Sequence, residues 1–303
     1  WSLASDPDGV SLWVGTEMGL ARFTPGPPSM APIVQRFDVG RWPARSPAAA
    51  ILSSKKGFWV ATEFGVQRFG LPHRFAQNLE VSAPEQMRAL LDDGRHIWGV
   101  GRWEVVKMDR RGRLQRGHTR TAIRDATLFR GDLWFISERG LHRLDSRTMS
   151  STLVVERSGF TRLVAGKRAM WAVMDGIPLQ IVGSMTRPFL RASAVEDLSV
   201  AGDFVCLGTR DGLEVMFPDG EVIDVLGDAD AREVVSAVSA DGAGACWFVS
   251  SAGRVGRTGT ADEVRTRTLP VESDVSIHRL VPDGDWAWIL TDQGTWRVHI
   301  EKP

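Results

Sequence analysis

Residues 13–23 read WVGTEMGLARF, and residues 59–69 read WVATEFGVQRF. The two segments share a Trp, a Thr three residues later, a Gly three residues after the Thr, and an Arg-Phe ending. A pattern that returns at a regular distance indicates a repeat array, in which each structural unit packs mainly on its neighbours. The first question about this chain is therefore how many units it contains.

Eight copies of the pattern occur, two of them degenerate (at Trp98 and Trp171) and one with Cys206 in place of the Trp. The spacing of 35 to 46 residues is typical of a four-stranded propeller blade. We predict an all-β protein, a β-propeller of eight blades with seven allowed, forming a single domain over 1–303. The motif cores are 13–23, 59–69, 98–108, 134–144, 171–181, 206–216, 247–257 and 288–298.

Each unit follows the same order of strands and turns. An apolar first strand such as residues 87–91 ends in a turn at Gly94, and the strand that carries the Trp follows. Residues 140–144 are predicted as a third strand and residues 152–156 as a fourth. After the last motif too little chain remains for a fourth strand, so we expect an incomplete last blade, unless residues before Trp1 complete it.

The segment DPDGVSLWVGTEMGLARF (6–23) resembles the propeller repeats of bacterial two-component regulators, and so do 59–69 and 133–144. The resemblance extends over nearly the whole chain and implies a propeller built from structural motif residues. In that family such propellers commonly serve as the ligand-sensing part of a receptor. The resemblance carries over no catalytic residue.

Composition excludes several classes of protein. No run of eighteen apolar residues occurs, so no membrane-spanning helix is predicted. Cys206 and Cys246 each lie in an apolar run, and we interpret them as small buried hydrophobic residues. The six His residues are scattered and no nucleophile motif occurs, so we predict no metal, no cofactor and no catalytic residue.

The residues that vary between repeats are the candidates for binding. The loops between second and third strands would form one face, called the top face. An apolar strip rimmed by carboxylates there could bind a sugar or a partner side chain, although the same side chains could instead fold over the blade edges. This set comprises Glu17, Met18, Glu63, Phe64, Arg102, Trp103 and Glu104.

First strands should supply a second set of polar residues at the mouth of the channel. A mixed ring could hold a polar ligand or form structural salt bridges, and the arginines in it argue against a carboxylate acting as a general acid. The set comprises Arg88, Arg124, Asp125, Arg162, Glu196, Asp197, His278 and Arg279.

A net charge of zero conceals a segregation of charge. Residues 41–190 contain 25 Lys and Arg against 13 Asp and Glu, and the remainder has the opposite balance. The turns opposite the top face strengthen the asymmetry, which would orient a charged partner. We predict a basic partner face made of Lys55, Lys56, Arg95, Arg110, Arg111, Arg113, Arg130, Lys167 and Arg168.

These observations favour a non-catalytic protein-interaction or scaffold module in a larger assembly. The expected partner is a protein with an acidic patch or an anionic polymer, and nucleic acid is disfavoured because half of the ring would repel it. A ligand-sensing or carbohydrate-binding extracytoplasmic domain is the first alternative, and a channel-mouth lyase or hydrolase is the second. A periplasmic or extracellular location is favoured over the cytoplasm.

Overall fold

The fold was analysed in a computed structural model. The structure describes residues 2–6, 10–16, 19–25, 33–37, 50–54, 57–62, 65–69, 76–79, 84, 86–109, 112–189, 194–201, 204–217, 221–226, 233–241, 244–258, 264–269, 276–291 and 294–300. The chain divides into two compact units, Trp1–Leu153 and Val154–Pro303, which are described separately.

The first unit contains sheets A to D, each built from four consecutive antiparallel strands. Sheet A is β1 (Ser2–Ser5), β2 (Leu12–Thr16), β3 (Gly19–Thr24) and β4 (Ile33–Phe37). Sheet B is β5 (Ala50–Ser54), β6 (Gly57–Thr62), β7 (Gly65–Phe69) and β8 (Ala76–Leu79). Sheet C is β9 (Ala89–Asp92), β10 (His96–Val100), β11 (Glu104–Asp109) and β12 (Leu114–His118). Sheet D is β13 (Asp125–Phe129), β14 (Asp132–Ser137), β15 (Gly140–Leu144) and β16 (Ser151–Glu156), the last of which runs into the second unit.

The second unit contains sheets E to H with the same order of strands. Sheet E is β17 (Phe160–Ala165), β18 (Met170–Met174), β19 (Ile177–Val182) and β20 (Met185–Pro188). Sheet F is β21 (Val195–Ala201), β22 (Phe204–Thr209), β23 (Gly212–Met216) and β24 (Val222–Asp224). Sheet G is β25 (Val235–Ala240), β26 (Cys246–Ser250), β27 (Arg254–Thr258) and β28 (Val264–Thr268). Sheet H has three strands over the described residues, β29 (Ile277–Asp283), β30 (Trp286–Thr291) and β31 (Gly294–His299).

These strands confirm the predicted all-β propeller, with seven four-stranded blades and a final sheet of three strands. The predicted third strand 140–144 is β15, and the predicted fourth strand 152–156 lies within β16. Gly94 has the positive φ (83°) that its turn was expected to need. Among the described residues no helix is long and apolar enough to cross a bilayer. The single-domain organisation stays a prediction.

The Thr/Ser-x-x-Gly part of the motif closes the hairpin between second and third strands. In sheet F, Thr209 pairs with Gly212 across the turn, and the Thr209 hydroxyl donates to the Gly212 carbonyl at 3.0 Å. The same hydroxyl accepts the Asp211 amide at 3.2 Å, and Gly212 has a φ of 142°. The hydroxyl thus satisfies turn groups that the strands leave unpaired.

The motif Trp and Arg belong to a cluster of three residues that we call the triad. Its members are an acid before the second strand, the motif Trp on that strand, and a cation opposite the Trp on the third strand. In sheet A the Asp6 carboxylate accepts the Trp13 indole N–H at 2.8 Å and the Arg22 Nε at 2.9 Å. Trp13 and Arg22 face each other in the strand register, with the guanidinium 5.8 Å from the ring. The buried Trp is thereby hydrogen-bonded, as a buried indole requires.

Sheets C and G repeat the triad. In sheet C, Asp93 accepts the Trp98 indole at 3.0 Å, and the Lys107 ammonium lies 5.4 Å from the ring. In sheet G, Asp241 is the acid, Trp247 the indole and Arg257 the cation of the triad. Asp241 accepts the Trp247 indole at 3.3 Å and the Arg257 guanidinium at 2.9 Å. The recurrence explains why Asp, Trp and Arg return together along the sequence.

Sheet H departs from this scheme. Asp285, in the turn before β30, accepts Arg257 of sheet G at 2.7 Å. The buried Trp288 indole has no hydrogen-bond partner among the described residues. Arg297 lies over the rings of both Trp286 and Trp288, at 4.0 and 5.1 Å. The last sheet therefore keeps the Trp–Arg stack but not the hydrogen bond to the indole.

The hydrophobic core lies between neighbouring sheets of each unit. In the first unit, sheets B and C share one cluster around Trp59 and Val106, and sheets C and D share another around Trp98 and Phe135. In the second unit, corresponding clusters join E to F, F to G and G to H. Burying aromatic and branched side chains between sheets supplies the main stabilisation of such a repeat.

The interpretation of the two cysteines needs correction. Both are fully buried as expected, but Cys206 of β22 and Cys246 of β26 form a disulfide, with their Cα atoms 5.8 Å apart. The two sulfurs meet in the apolar cluster that sheets F and G share. The sequence carried a signal for this, since Cys206 stands at the motif Trp position and Cys246 directly precedes the next motif Trp.

Candidate ligand-binding site

A cavity of about 270 Å³ lies between sheets C and D of the first unit. Its walls combine apolar and charged groups. Val100 and Ile123 are fully buried, whereas Ala89 and Ala126 are half-buried. The lining consists of Arg88, Ala89, Val100, Ile123, Arg124, Asp125 and Ala126.

Backbone hydrogen bonds fix the charged residues at this place. The Arg88 amide donates to the Val100 carbonyl at 2.7 Å, which extends the pairing of β9 with β10 by one residue. The Arg124 amide donates to Ile136 at 2.8 Å and so begins the pairing of β13 with β14. Both arginines therefore stand at the same ends of their sheets, just before the first strand.

The two guanidiniums are the most available charges of the cavity. The Arg88 Nη1 donates a long bond of 3.5 Å to the Arg124 carbonyl. Within the described part of the chain, neither guanidinium lies within 4.0 Å of a carboxylate oxygen. One oxygen of Asp125 accepts the Ala126 amide at 2.9 Å. The cavity is thus lined by two arginines, one aspartate and four apolar residues.

The turn between β10 and β11 adjoins the cavity. The Arg102 carbonyl accepts the amide of Ile123, a lining residue, at 2.7 Å. The Arg102 guanidinium lies 5.4 Å from the Trp103 ring and donates to Gln86 at 3.3 Å. Trp103 is 43% exposed and is the largest of the exposed apolar side chains among the described residues.

Glu104, the residue after Trp103 and also a top-face candidate, pairs with a cation of its own sheet. Glu104 accepts Arg116 of β12 at 2.7 Å, and the His118 ring lies 3.9 Å away. The structure thus brings Arg102 and Trp103 together with Arg88, Arg124 and Asp125 at one end of sheets C and D. We call these five residues the open end. Of the remaining top-face candidates, Glu17, Met18, Glu63 and Phe64 lie outside the described residues.

The channel-mouth candidates of the second unit form ion pairs. Arg162 lies 3.0 Å from Asp197, whose other oxygen accepts the Val238 amide at 3.0 Å. Arg210 donates to Glu196 at 2.6 Å, and this bond raises the pKa of Arg210. Arg279 is exposed, and the side chain of His278 lies outside the described residues. These carboxylates therefore have cation partners.

The basic partner-face candidates lie at the opposite ends of their sheets from the open end. Arg95, Arg130 and the pair Lys167 and Arg168 occupy exposed turns between first and second strands. Arg113, between β11 and β12, is paired with Asp109 at 2.6 Å. Lys55, Lys56, Arg110 and Arg111 fall outside the described residues.

A buried Ser–His pair was not foreseen from the sequence. The Ser137 hydroxyl and the His142 Nε2 are 2.8 Å apart, and the imidazole stacks on Phe135 at 4.7 Å. Burial, together with the nearby Arg139, lowers the pKa of His142, while Glu138 opposes the shift. Both side chains are buried, so the pair serves the packing of sheet D. No group of three His, Cys, Asp or Glu able to hold a metal ion occurs within the described ranges.

The sequence likewise did not indicate the apolar wall of the cavity. Ile123 lies in the connection between sheets C and D, where no repeat position predicts burial, and its amide bond to Arg102 brings it inward. The available signal was a branched apolar residue just before the polar pair Arg124 and Asp125.

Comparison with solved structures supports the fold. A catalytically inactive virginiamycin B lyase from Staphylococcus aureus with quinupristin matches with a TM-score of 0.62 and 14% identity, over 82% of this chain and 93% of that chain. The extracellular domain of the hybrid two-component system BT4673 from B. thetaiotaomicron matches with a TM-score of 0.57 and 13% identity, over 97% of this chain and 49% of that one.

PorZ, a bacterial surface component of the type-IX secretion system of Porphyromonas gingivalis, matches with a TM-score of 0.61 and 12% identity. The match covers 95% of this chain and 41% of PorZ. No protein-family model matches the chain, and no characterised protein matches it in sequence. At these identities the likeness establishes the propeller fold, and it agrees with the resemblance to two-component regulator propellers at that level.

Proposed function

We propose that this chain is a non-catalytic recognition propeller that works in an oxidising compartment outside the cytoplasm and binds an anionic ligand at the open end. The observation that carries this proposal is the pair of guanidiniums, Arg88 and Arg124, which border a cavity without a described carboxylate partner. Guanidiniums that face a cavity are suited to recognise carboxylate, sulfate or phosphate groups.

The buried disulfide supports the location. Disulfides persist in oxidising compartments and are rare in cytosolic proteins, where thiols are kept reduced. Cys206 and Cys246 are both fully buried, so the bond belongs to the folded core rather than to an exposed redox site. Extracellular and surface proteins among the solved propellers of this shape are consistent with the same location.

Ion pairing of the other candidate carboxylates supports a binding role over a catalytic one. The Asp197 carboxylate lies 3.0 Å from the Arg162 Nε, and the Glu196 carboxylate lies 2.6 Å from the Arg210 Nε. A general acid must hold a proton that it can release to a substrate, and a guanidinium partner opposes that. The charged groups here are arranged to hold an anion more readily than to transfer a proton.

A thermal-shift screen of the whole chain against small carboxylates, sulfates, phosphates and acidic oligosaccharides tests the proposal. We expect at least one anion to raise the melting temperature of the wild type but not of the Arg88→Gln, Arg124→Gln double variant. Arg95→Gln, an exposed arginine at the other end of sheet C, is the matched control and should respond as the wild type does. Ligands that stabilise all three proteins equally would contradict the proposal.

A second candidate function is recognition of an acidic protein by the opposite ends of sheets C and D. Arg95 and Arg130 are exposed there, each in the turn between the first and second strands of its sheet, and the backbone of Arg130 has the positive φ (52°) of a tight turn. Loss of a purified partner's binding in Arg95→Glu, Arg130→Glu, with binding intact in Arg88→Gln, Arg124→Gln, would favour this function. The reverse pattern would favour the open end.

A further inference from the structure

Two more arginines stand beside the pair that lines the cavity between sheets C and D. Arg102 and Arg120 lie at the same end of these sheets as Arg88 and Arg124, and all four are exposed. On the premise of the proposed function, that the open end binds an anion, we propose that this anion carries three or more charged groups in a row. Arg120, which does not line the cavity, takes part in binding it.

Hydrogen bonds hold the segment that contains Arg120 against the turn that contains Arg102. The Thr119 amide donates to the Trp103 carbonyl at 2.9 Å. The Thr119 hydroxyl lies 3.1 Å from the same carbonyl and 2.9 Å from the carbonyl of Thr121. Thr119 and Thr121 are buried, whereas Arg120 between them is exposed. The segment therefore presents Arg120 to solvent from a backbone that is fixed beside the turn.

Side-chain hydrogen bonds connect the other arginines to the segment before β9. The Arg102 Nη1 donates to the Gln86 side chain at 3.3 Å, two residues before Arg88. The Arg88 Nη1 in turn lies 3.5 Å from the Arg124 carbonyl. Arg120 precedes Arg124 by four residues in the connection between sheets C and D. The four arginines thus form one group, which extends from the cavity to the neighbouring turn and connection.

The positive charge of this group is not balanced at this end of the two sheets. Over the residues that the structure describes, none of the four guanidiniums lies within 4.0 Å of a carboxylate oxygen. Glu104 is already paired with Arg116 at 2.7 Å. With Arg139, this end of sheets C and D has five further arginines against two acids, Asp125 and Glu138, a balance of +3. A ligand with several negative charges matches this balance better than a single charge does.

Linked charged groups also gain affinity from being joined. A guanidinium is suited to bind the oxygens of a phosphate or sulfate group. Once the first group is bound in the cavity, the next groups are held close to Arg102 and Arg120. Each of them then adds contacts without a second loss of translational freedom.

Titration of the full chain by calorimetry tests the proposal. The probes are orthophosphate, pyrophosphate and tripolyphosphate, which keep the same charged group and change only the number of groups in the row. We expect the affinity to rise along this series, with tripolyphosphate binding about 10-fold or more tightly than orthophosphate, because one added charge-assisted contact contributes roughly that factor. Equal affinities for the three probes, or no binding of tripolyphosphate, would overturn the proposal.

The variant Arg120→Gln tests the arginine that lies outside the cavity. It should weaken tripolyphosphate by about 10-fold but change the affinity for orthophosphate by less than about 2-fold, because Arg120 does not line the cavity. Arg95→Gln removes the same unit of charge at the other end of sheet C, so it is the matched control and should bind every probe as the wild type does. A melting temperature close to that of the wild type confirms that each variant is folded.

Two results with these variants would contradict the role of Arg120. One is an unchanged affinity of Arg120→Gln for tripolyphosphate. The other is an equal loss in Arg120→Gln and Arg95→Gln, which would show an effect of net charge alone.

The outcome separates this inference from the proposed function. If orthophosphate and tripolyphosphate bind equally well and both depend on Arg88 and Arg124, the open end binds anions but this inference is wrong. If no anion depends on the two arginines, both are wrong.

Discussion

The two ends of sheet C use their charged side chains in opposite ways. At one end Asp93 receives the Trp98 indole and the backbone amides of Arg95 and His96, and Lys107 lies over the indole. At the open end Arg88 lines a cavity together with Arg124 of the neighbouring sheet D. The difference separates charges that hold the blade together from charges to which we assign ligand binding in our proposal.

The triad of sheet G should give the largest effect, because its cation is buried. Arg257 is 2% exposed and joins Asp241 to Asp285, so Arg257→Met leaves a buried carboxylate without its cation. We expect a loss of about 3–5 kcal/mol in the free energy of unfolding, measured by chemical denaturation.

Arg254 on the same strand provides the matched control, because its pair with Glu233 is partly exposed. Arg254→Met should cost about 1 kcal/mol or less. Equal losses in the two variants would show that the triad end has no special structural role, and the comparison between the two ends would fail.

Asp93→Ala tests the triad end of sheet C directly. It removes the acceptor of one indole and two backbone amides, and we expect a loss of about 2 kcal/mol. The control is Asp92→Ala, because Asp92 is adjacent in sequence and exposed. It should lower the free energy of unfolding by about 0.5 kcal/mol or less.

Acid titration of the same variant sharpens the result. Burial alone raises the pKa of Asp93, but hydrogen bonds from Trp98, from the His96 and Arg95 amides and from the His96 ring together lower it. A lowered pKa stabilises the folded state above the ordinary Asp value and loses that contribution as the pH falls below it. Asp93→Ala should therefore unfold with a weaker dependence on acid than the wild type, and an unchanged dependence would contradict the assignment.

Substitution of His142 should have a smaller effect on stability. His142 is a polar residue near the top turn of sheet D, but its side chain is buried. Its lowered pKa means that the unfolded chain takes up a proton more readily than the folded one. Stability should therefore be constant above about pH 6.5 and decline as the pH falls below it. Melting temperatures of the wild type and His142→Gln at about pH 8 and about pH 5.5 check this; a decline of the same size in both proteins would exclude His142.

The smallest effect is expected at the open end. Arg88→Gln with Arg124→Gln removes no described ion pair, so the free energy of unfolding should change by less than about 0.5 kcal/mol. Denaturation of the double variant measures it. A loss comparable with that of Asp93→Ala would mean that these arginines also support the blade, and the contrast between the ends would disappear.

The repeated part of the molecule was predictable because the same motif residues mark the same strands and turns in each blade. Trp13, Trp98 and Trp247 mark second strands, and the Gly three residues after each Thr or Ser marks the following turn, so the strands follow from spacing alone. The sequence also contains the residues of the triad, since an acid such as Asp6 precedes the motif Trp and a cation such as Arg22 follows it. Their hydrogen bonds could not be predicted without the register of the strands.

The candidate site was predictable only in part, because it depends on departures from the repeat. Arg88, Arg124 and Asp125 were identified as channel-mouth residues, and Arg102 and Trp103 as top-face residues. That these two sets adjoin one cavity depends on Ile123 and its bond to Arg102, which lie in a connection between blades. The disulfide was missed for a similar reason, since pairing two cysteines 40 residues apart needs the packing of sheet F against sheet G.

That disulfide has a mechanical consequence. If the chain is pulled from its ends, the 39 residues between Cys206 and Cys246 cannot be drawn out while the bond is intact. At about 3.6 Å per extended residue, roughly 140 Å of chain is withheld from extension. Sheets F and G therefore form a covalent stop within a repeat array whose blades could otherwise be unravelled one after another.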